Sequence, residues 1–187
     1  MRVIAGSAGG RRLEVPAGTA VRPTADRVRE ALFSSLGAAV PAATVLDLFA
    51  GSGALGIEAL SRGAARAVLV ERDRKAASVV ASNLTRTGLH GRATLVRTDA
   101  AAYVRDPGGG PFDIVLLDPP YEHPTPDLNA LATALRDAGG LAPDATVVLE
   151  RDRRDATGDA EPPRFLVLSR RRVYGDTVLL YLRSVGR

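Results

Sequence analysis

The sequence predicts a doubly wound α/β fold, and three observations carry this prediction. From residue 44 onward, apolar strand patterns alternate with helical patterns, as in a parallel sheet covered by helices on both faces. A glycine-rich turn follows the first of these strands, and the run 112–117, apolar except for Asp113, is typical of a buried parallel strand. The last two strands have no room for a helix between them, so they predict an antiparallel pair.

Periodicity and turn residues predict the individual elements. The chain opens with two short strands, 2–5 and 12–15, joined by the glycine-rich turn 6–10. A helix begins at Pro23 and Thr24 and ends at Gly37, since Val28, Leu32 and Leu36 recur every four residues. The later strands are predicted at 44–50, 67–71, 94–97, 112–117, 146–150, 165–168 and 178–182, and the later helices at 54–62, 74–84 and 128–135.

Two units are predicted from this order of elements. Residues 1–21 form a small N-terminal β-hairpin extension, and residues 22–187 form the main domain. The segment 151–163 is charged and contains glycine and proline, so we expect an exposed loop there.

Composition excludes several classes of protein. The 187 residues are 45% hydrophobic and 25% charged, which fits one globular domain rather than a disordered chain. No run of about 18 apolar residues and no signal-peptide pattern is visible, so we expect a cytoplasmic protein. The absence of cysteine excludes disulfides, thiolate zinc sites and cysteine nucleophiles, and with two histidines we expect no metal site.

The basic residues are almost all arginine. Of 25 basic residues, 24 are arginine, against 21 acidic residues, and the sequence pI is near 10.1. Guanidinium groups match phosphate oxygens in two-pronged contacts, so the N-terminal arginines and the run Arg170, Arg171 and Arg172 are candidate nucleic-acid contacts. Codon bias in a GC-rich genome is the alternative explanation.

The turn after the first strand has the pattern of a nucleotide-binding loop. Gly51, Gly53 and Gly56 satisfy G-x-G-x-x-G and precede a helix, and glycine lets a ligand approach the main chain. Glu71 ends the second strand, 24 positions after Asp47, where a carboxylate can accept hydrogen bonds from ribose hydroxyls. A cofactor that contains ribose is therefore expected, although such turns also occur without ligands.

Acidic residues at successive strand ends favour S-adenosylmethionine over NAD. Asp47 suits the ammonium or sulfonium group of S-adenosylmethionine, whereas it would repel a pyrophosphate. Asp99, after the third strand, is a candidate partner for the adenine amino group. For each of these acids, a helix N-cap or an exposed loop position is the alternative.

The fourth strand ends in Asp118-Pro119-Pro120-Tyr121. Proline fixes the backbone and forces the residue before it into an extended conformation. The Asp118 carboxylate and the Pro119 carbonyl then form two fixed acceptors for the hydrogens of a planar amino group, and Tyr121 can stack on a base. A rigid loop with an incidental tyrosine is the alternative.

These motifs resemble those of S-adenosylmethionine-dependent amino methyltransferases, and more closely those of the RsmD-type ribosomal RNA methyltransferases. The similarity includes the opening Val3–Gly6 with Gly10-Arg11, the stretch 22–33, the turn 47–56, the motif at Asp118 and the segment 174–177. It implies a Rossmann-like, seven-stranded methyltransferase sheet and transfer of a methyl group to the N2 amine of a guanine in bacterial 16S rRNA.

The resemblance also implies site residues and partners. The predicted catalytic residues are Asp118, Pro119, Pro120 and Tyr121. The predicted cofactor-binding residues are Asp47, Phe49, Ala50, Gly51, Ser52, Gly53, Glu71, Arg72, Asp99, Ala100, Arg22 and Thr24. The predicted RNA contacts are Arg11, Arg12, Arg22 and Arg27. We expect a monomer that acts on 16S rRNA within the small ribosomal subunit or an assembly intermediate.

Two rival functions share part of this pattern. A DNA amino methyltransferase acting on adenine N6 or cytosine N4 would use the same chemistry at Asp118, but the chain shows no separate target-recognition domain. An NAD-binding oxidoreductase or a non-catalytic nucleotide-binding domain would explain the glycine turn and leave the motif at Asp118 unexplained. A catalytically silent RNA-binding protein would not need the three acids.

Overall fold

A computed structural model of the chain describes residues 1–16, 24–119, 128–154 and 161–186. The helices are α1 (Thr24–Leu36), α2 (Ala54–Ser61), α3 (Arg74–Thr87), α4 (Ala100–Tyr103) and α5 (Leu128–Asp137), with 3-10 turns at Gly37–Ala39 and His90–Arg92. The strands are β1 (Thr44–Asp47), β2 (Arg66–Val70), β3 (Ala93–Val96), β4 (Phe112–Leu117), β5 (Leu141–Asp152), β6 (Leu166–Tyr174) and β7 (Thr177–Ser184).

The strands form one sheet of seven in the order β3-β2-β1-β4-β5-β7-β6. Strands β1 to β5 are parallel to one another, and β7 runs antiparallel to both β5 and β6. The predicted doubly wound α/β fold and its antiparallel C-terminal pair are confirmed. Strand order reverses between β1 and β4, which is where such sheets bind their ligands.

Helices cover both faces of the sheet because the strands alternate their apolar side chains. On one face, α1, α2 and α3 bury a cluster that includes Leu32, Ile57 and Val80. On the other face, α4 and α5 bury a second cluster that includes Tyr103 and Leu135. Among the described helices, none is long and apolar enough to cross a membrane.

The boundaries differ from the predictions at several places. Strand β5 continues through Asp152, and Arg151 is buried within it, so the predicted exposed loop does not begin at residue 151. Helix α3 runs on to Thr87, where Gly88 with a φ of 73° ends it. Helix α4 was not predicted. The two predicted N-terminal strands reduce to a single antiparallel bridge between Arg2 and Arg12.

The N-terminal segment is held against α2 by a buried carboxylate. Glu58 is fully buried and accepts hydrogen bonds from the N–H groups of Ile4 at 2.8 Å and Ala5 at 3.1 Å. Its carboxylate also pairs with Arg62 at 2.7 Å and lies 3.7 Å from Arg29. Because these partners satisfy both carboxylate oxygens, the buried charge fixes residues 1–16 to the main body. A separate extension over 1–21 stays a prediction.

Asn83 on α3 makes a second anchor for the same segment. Its side chain is fully buried, accepts a hydrogen bond from the Glu14 N–H at 2.8 Å and donates to the Glu14 carbonyl at 2.9 Å. The same amide donates to the Ser52 carbonyl at 2.9 Å, within the glycine turn. One side chain therefore ties the N-terminal segment to the loop that follows β1.

Replacing Asn83 should destabilise the protein. Asn83→Ala removes three buried hydrogen bonds and leaves their backbone partners unsatisfied, so we expect the free energy of unfolding to fall by about 2 kcal/mol. Denaturant unfolding measures this change. Ser78→Ala, at an exposed position of the same helix, is the matched control and should change stability by less than about 0.5 kcal/mol. An equal decrease in the free energy of unfolding in the two variants would contradict the anchoring role of Asn83.

Candidate active site

Three carboxylates lie at the carboxyl ends of the three adjacent strands β2, β1 and β4. Asp47 is the last residue of β1 and pairs in register with Leu69 on β2 and Leu116 on β4. Glu71 and Asp118 each come two residues after those partners. Since side chains two residues apart on a strand share a face, the fold brings all three acids to one place at the reversal of strand order.

Asp47 is a buried acid whose pKa is raised. It is 1% exposed, and its Oδ2 accepts a hydrogen bond from the Gly56 N–H at 2.9 Å, while its buried Oδ1 has no hydrogen-bond partner. Burial raises the pKa of Asp47 from 3.8 to about 7; the Gly56 N–H opposes this rise, and the charges of Asp118 and Glu71 add to it. A positively charged group beside Oδ1 would offset the cost of burying the Asp47 charge and its repulsion by Asp118 and Glu71.

Glu71 is held in a fixed orientation by the backbone. Its Oε2 accepts a hydrogen bond from the Gly51 N–H at 2.9 Å, and its Oε1 accepts one from the Asp73 N–H at 2.7 Å. An ionised carboxylate offers about four acceptor positions, so each oxygen keeps capacity for a further donor. The glycine turn and the end of β2 are thereby locked together, with Glu71 oriented toward the turn.

The three glycines of the turn have different roles. Gly51 has a φ of 56°, and a Cβ there would meet no atom closer than 4.0 Å, so its side-chain position is open space. Gly53 has a φ of 79° and is the N-cap of α2. At Gly56, a Cβ would lie 2.8 Å from Leu69, so this glycine permits close packing of α2 on β2. Gly51 alone among the three leaves room for a ligand at the main chain.

The end of β4 places the predicted amine-binding residues at the same edge. Asp118 is half-buried and Pro119 is buried, directly after the last residue of β4. Pro120 and Tyr121 lie outside the described residues, as do Arg22 and the side chain of Thr24. Their predicted roles therefore stay predictions.

The remaining predicted cofactor residues surround the turn or cap the next helix. Phe49 is half-buried, and Ala50 is buried and donates its N–H to the Val70 carbonyl at 3.0 Å.

Asp99 is exposed and forms the N-cap of α4, since its Oδ1 accepts a hydrogen bond from the Ala101 N–H at 2.8 Å. The cap was the alternative considered for Asp99, and its contact with adenine stays a prediction. Ser52 lies in the turn, Arg72 is exposed after β2, and Ala100 is the first residue of α4.

Three of the predicted RNA contacts are exposed on segments that pack against the same face of the sheet. Arg11 and Arg12 lie in the N-terminal segment, and Arg27 lies in the first turns of α1. Arg11 donates a hydrogen bond to the Arg86 carbonyl at 2.9 Å, which orients its side chain along the surface. Arg29 differs from them, because it is buried and pairs with Asp26 at 3.1 Å.

Sequence reasoning missed the two buried residues that support this site. Asn83 falls in the buried stripe of α3, which also contains Val80 and Thr87, and Glu58 falls in the buried stripe of α2 beside Ile57. A polar residue in an otherwise apolar helical stripe was the available signal. Over the described residues, no group of three or more His, Asp or Glu side chains could hold a metal ion.

Comparison with known proteins agrees with this site. A family model described as "Conserved hypothetical protein 95" matches residues 1–183. The chain belongs to this family. It is 42% identical to "Putative rRNA methyltransferase YlbH" of Bacillus subtilis, over all of both chains. It is also 42% identical to "Ribosomal RNA small subunit methyltransferase D" of Escherichia coli, over 81% of this chain and 75% of that protein.

Solved structures show the same relationship. "Putative methyltransferase yhhF" from Escherichia coli superposes with a TM-score of 0.86 at 37% identity, covering 100% of this chain and 99% of the other. The predicted resemblance to RsmD-type enzymes is confirmed, and the chain is a methyltransferase.

Proposed function

We propose that this methyltransferase transfers a methyl group from S-adenosylmethionine to the N2 amine of a guanine in 16S rRNA of the bacterial small ribosomal subunit. The observation that carries the proposal is the meeting of Asp47, Glu71 and Asp118 at three adjacent strand ends, with Asp47 Oδ1 buried and unpartnered. The relatives named as small-subunit rRNA methyltransferases support the choice of substrate. A ribosomal substrate also implies that the enzyme works in the cytoplasm.

The residues at this edge fit a cationic cofactor that contains ribose. Asp47 Oδ1 is a buried acceptor that would hold an ammonium group, and Glu71 would accept hydrogen bonds from ribose hydroxyls. Gly51 leaves the main chain open to close approach. When bound, S-adenosylmethionine supplies the electrophilic methyl group. Asp99, Arg72 and the segment that contains Arg22 and Thr24 would complete the site.

The residues after β4 would orient the amine. The lone pair of an exocyclic guanine amine is delocalised into the ring, so the nitrogen is a poor nucleophile. Asp118 and the Pro119 carbonyl would accept its two hydrogens and direct the lone pair toward the methyl carbon. On methylation the nitrogen would gain positive charge, which the Asp118 carboxylate would stabilise. The same carboxylate would then accept the proton that the methylated amine loses and pass it to solvent. Tyr121 would hold the plane of the base.

The exposed arginines would hold the RNA beside this site. Arg11, Arg12 and Arg27 occupy the face that α1 and the N-terminal segment share. They are suited to phosphate contacts, which position a nucleic acid without reading its sequence. A chain of 187 residues has little surface for reading bases, so we infer that the enzyme recognises the folded RNA–protein surface of the subunit.

The proposal is tested by methyl transfer from labelled S-adenosylmethionine. Small ribosomal subunits that lack the modification, protein-free 16S rRNA and duplex DNA are incubated with the enzyme in parallel. We expect label in subunit RNA at guanine N2, and slower labelling of protein-free RNA. Label only in DNA would support the assigned active site but would show that the enzyme is a DNA amino methyltransferase. Label in none of the three would contradict the proposed function.

A further inference from the structure

Strand β6 is an edge strand that no other described element covers. It is the last strand in the sheet order, paired only with β7 among the described strands. All residues from Val167 to Val173 are exposed, so neither face of the strand lies beneath a helix. Val167, Leu168 and Val173 are 50%, 48% and 42% exposed, which is unusual for apolar side chains in a sheet.

The same strand carries concentrated positive charge. The sequence of Leu166–Tyr174 contains three consecutive arginines and no acidic residue. On the neighbouring strand, Arg183 is neutralised by Asp144 at 3.0 Å. Within the described parts of the chain, by contrast, no carboxylate lies within 4.0 Å of Arg170, Arg171 or Arg172. These three charges are free to meet an external anion.

Register divides the three arginines between the two faces of the sheet. Arg170 pairs with Tyr181 and Arg172 with Leu179, and both partners belong to the cluster beneath α1 and the N-terminal segment. Burial raises the pKa of the Tyr181 hydroxyl, and the charges of Arg170 and Arg172 oppose this rise, which places them close to that hydroxyl. Arg170 and Arg172 therefore share a face with the exposed arginines of α1 and of the N-terminal segment.

The arginines of β6 also lie near the edge of the sheet that carries Asp118. Strand β7 starts at Thr177, which pairs with Asp152 at the carboxyl end of β5, so the turn between β6 and β7 lies at the same edge as Asp118. Three strand spacings separate β6 from β4, about 14 Å. Arg172 lies two residues from the end of β6, about 7 Å from that edge, and Arg170 about 14 Å from it.

We propose that the Arg170 and Arg172 face of β6 binds the phosphate backbone of the substrate RNA, as a second contact beside the N-terminal segment. The inference rests on the proposed function, because it assumes an RNA substrate. A backbone whose target base enters the site at Asp118 would continue along this side of the sheet and meet guanidinium groups that no described carboxylate neutralises. Arg171, on the opposite face, would reach a phosphate only if the RNA passes over the edge of the strand.

Charge also argues against a second copy of this chain as the occupant. An exposed edge strand can pair with another edge strand, and charged residues on the edge oppose such pairing. If two β6 strands paired antiparallel with Arg171 opposite Arg171, the arginine runs of both copies would face each other without a neutralising acid. A polyanion removes this repulsion, whereas a second β6 doubles it.

The test compares two double variants with the same loss of charge. R170A/R172A removes the proposed contact, and R66A/R105A removes two exposed arginines that lie elsewhere on the protein. Binding to unmodified small ribosomal subunits is measured at several salt concentrations, with S-adenosylhomocysteine present to prevent turnover. We expect R170A/R172A to bind about tenfold more weakly at 0.15 M salt, with the salt slope reduced by about 1.4 to 1.8. The control pair should keep the wild-type slope.

Methyl transfer by the same proteins separates this inference from the proposed function. If wild type methylates the subunits and R170A/R172A keeps the wild-type affinity and slope, the β6 contact is wrong and the function stands. If wild type methylates none of the RNA substrates, the proposed function fails first. Unchanged thermal melting and cofactor binding in R170A/R172A show that the variant is folded. If L168S/V173S loses subunit binding while R170A/R172A does not, the surface binds a protein, which overturns the RNA contact.

Discussion

Asp118→Ala is expected to slow methyl transfer to small ribosomal subunits by about 10²- to 10³-fold in kcat. The carboxylate would accept one hydrogen of the target amine and would stabilise positive charge that develops only in the transition state. Losing one such preorganised partner typically costs about 10² to 10³ in rate. Steady-state kinetics under saturating cofactor measure the change, and KM for the subunit should move much less than kcat.

A second variant separates the two roles of Asp118. Asp118→Asn keeps an acceptor oxygen and removes the charge, so its kcat should lie between those of wild type and Asp118→Ala. Asp106→Asn, at an exposed position outside the site, is the control and should keep the wild-type rate. If Asp118→Ala reduces kcat less than tenfold, about 1.4 kcal/mol, the carboxylate does not assist the chemical step.

The order of elements could be predicted from the sequence because each strand of a parallel sheet is buried and reads as an apolar run. The predicted range 112–117 for β4 matches the structure, since Pro111 before it and Asp118 after it bound the run. Strand β5 was underestimated because its first residues, including Pro143 and Asp144, break the apolar pattern. The φ of Asp144 is 59°, and the pairing of β5 with β4 shifts register in this stretch before it resumes at Thr146. The N-terminal strands were overestimated because their hydrogen bonds go partly to α2.

The candidate site could be predicted in part, for a related reason. The acids at the strand ends follow from the rule that parallel strands present their carboxyl ends at one edge, so Asp47, Glu71 and Asp118 were identifiable from spacing. The burial of Asp47 Oδ1 without a partner depends on how α2 packs, and no local pattern reports it. Likewise, the contacts of Asn83 join residues 31 and 69 positions apart in sequence.

The raised pKa of Asp47 predicts how stability depends on pH. The unfolded carboxyl has a pKa near 3.8 and the folded one about 7, so between these values the native state holds a proton that the unfolded state has released. The stability that Asp47 contributes through this shift is therefore fully present below about pH 4, is lost as pH rises toward 7, and changes no further above that. Asp47→Asn carries no charge and can still accept the Gly56 N–H. We expect it to melt at a higher temperature than wild type at pH 8, with the difference shrinking toward pH 5.

The same substitution should weaken the cofactor. Asp47→Asn removes the buried charge that would hold a cationic ligand, so we expect the Kd for S-adenosylmethionine at pH 8 to rise about 10²-fold, in line with the loss of one partner of a buried charge pair. Wild-type affinity should fall below pH 7, because binding then requires Asp47 to release its proton, whereas Asp47→Asn should show no such dependence. Calorimetric titration from pH 5.5 to 8.5 measures both effects.

Asp73→Asn, which keeps the N-cap of α3 beside Glu71, is the matched control and should equal wild type in melting temperature and in cofactor affinity. Tight, pH-dependent binding by Asp47→Asn would place the cofactor's positive charge elsewhere. A more stable protein that binds its cofactor poorly would show that Asp47 is kept for binding at a cost in stability, as expected of a charge buried ahead of its ligand.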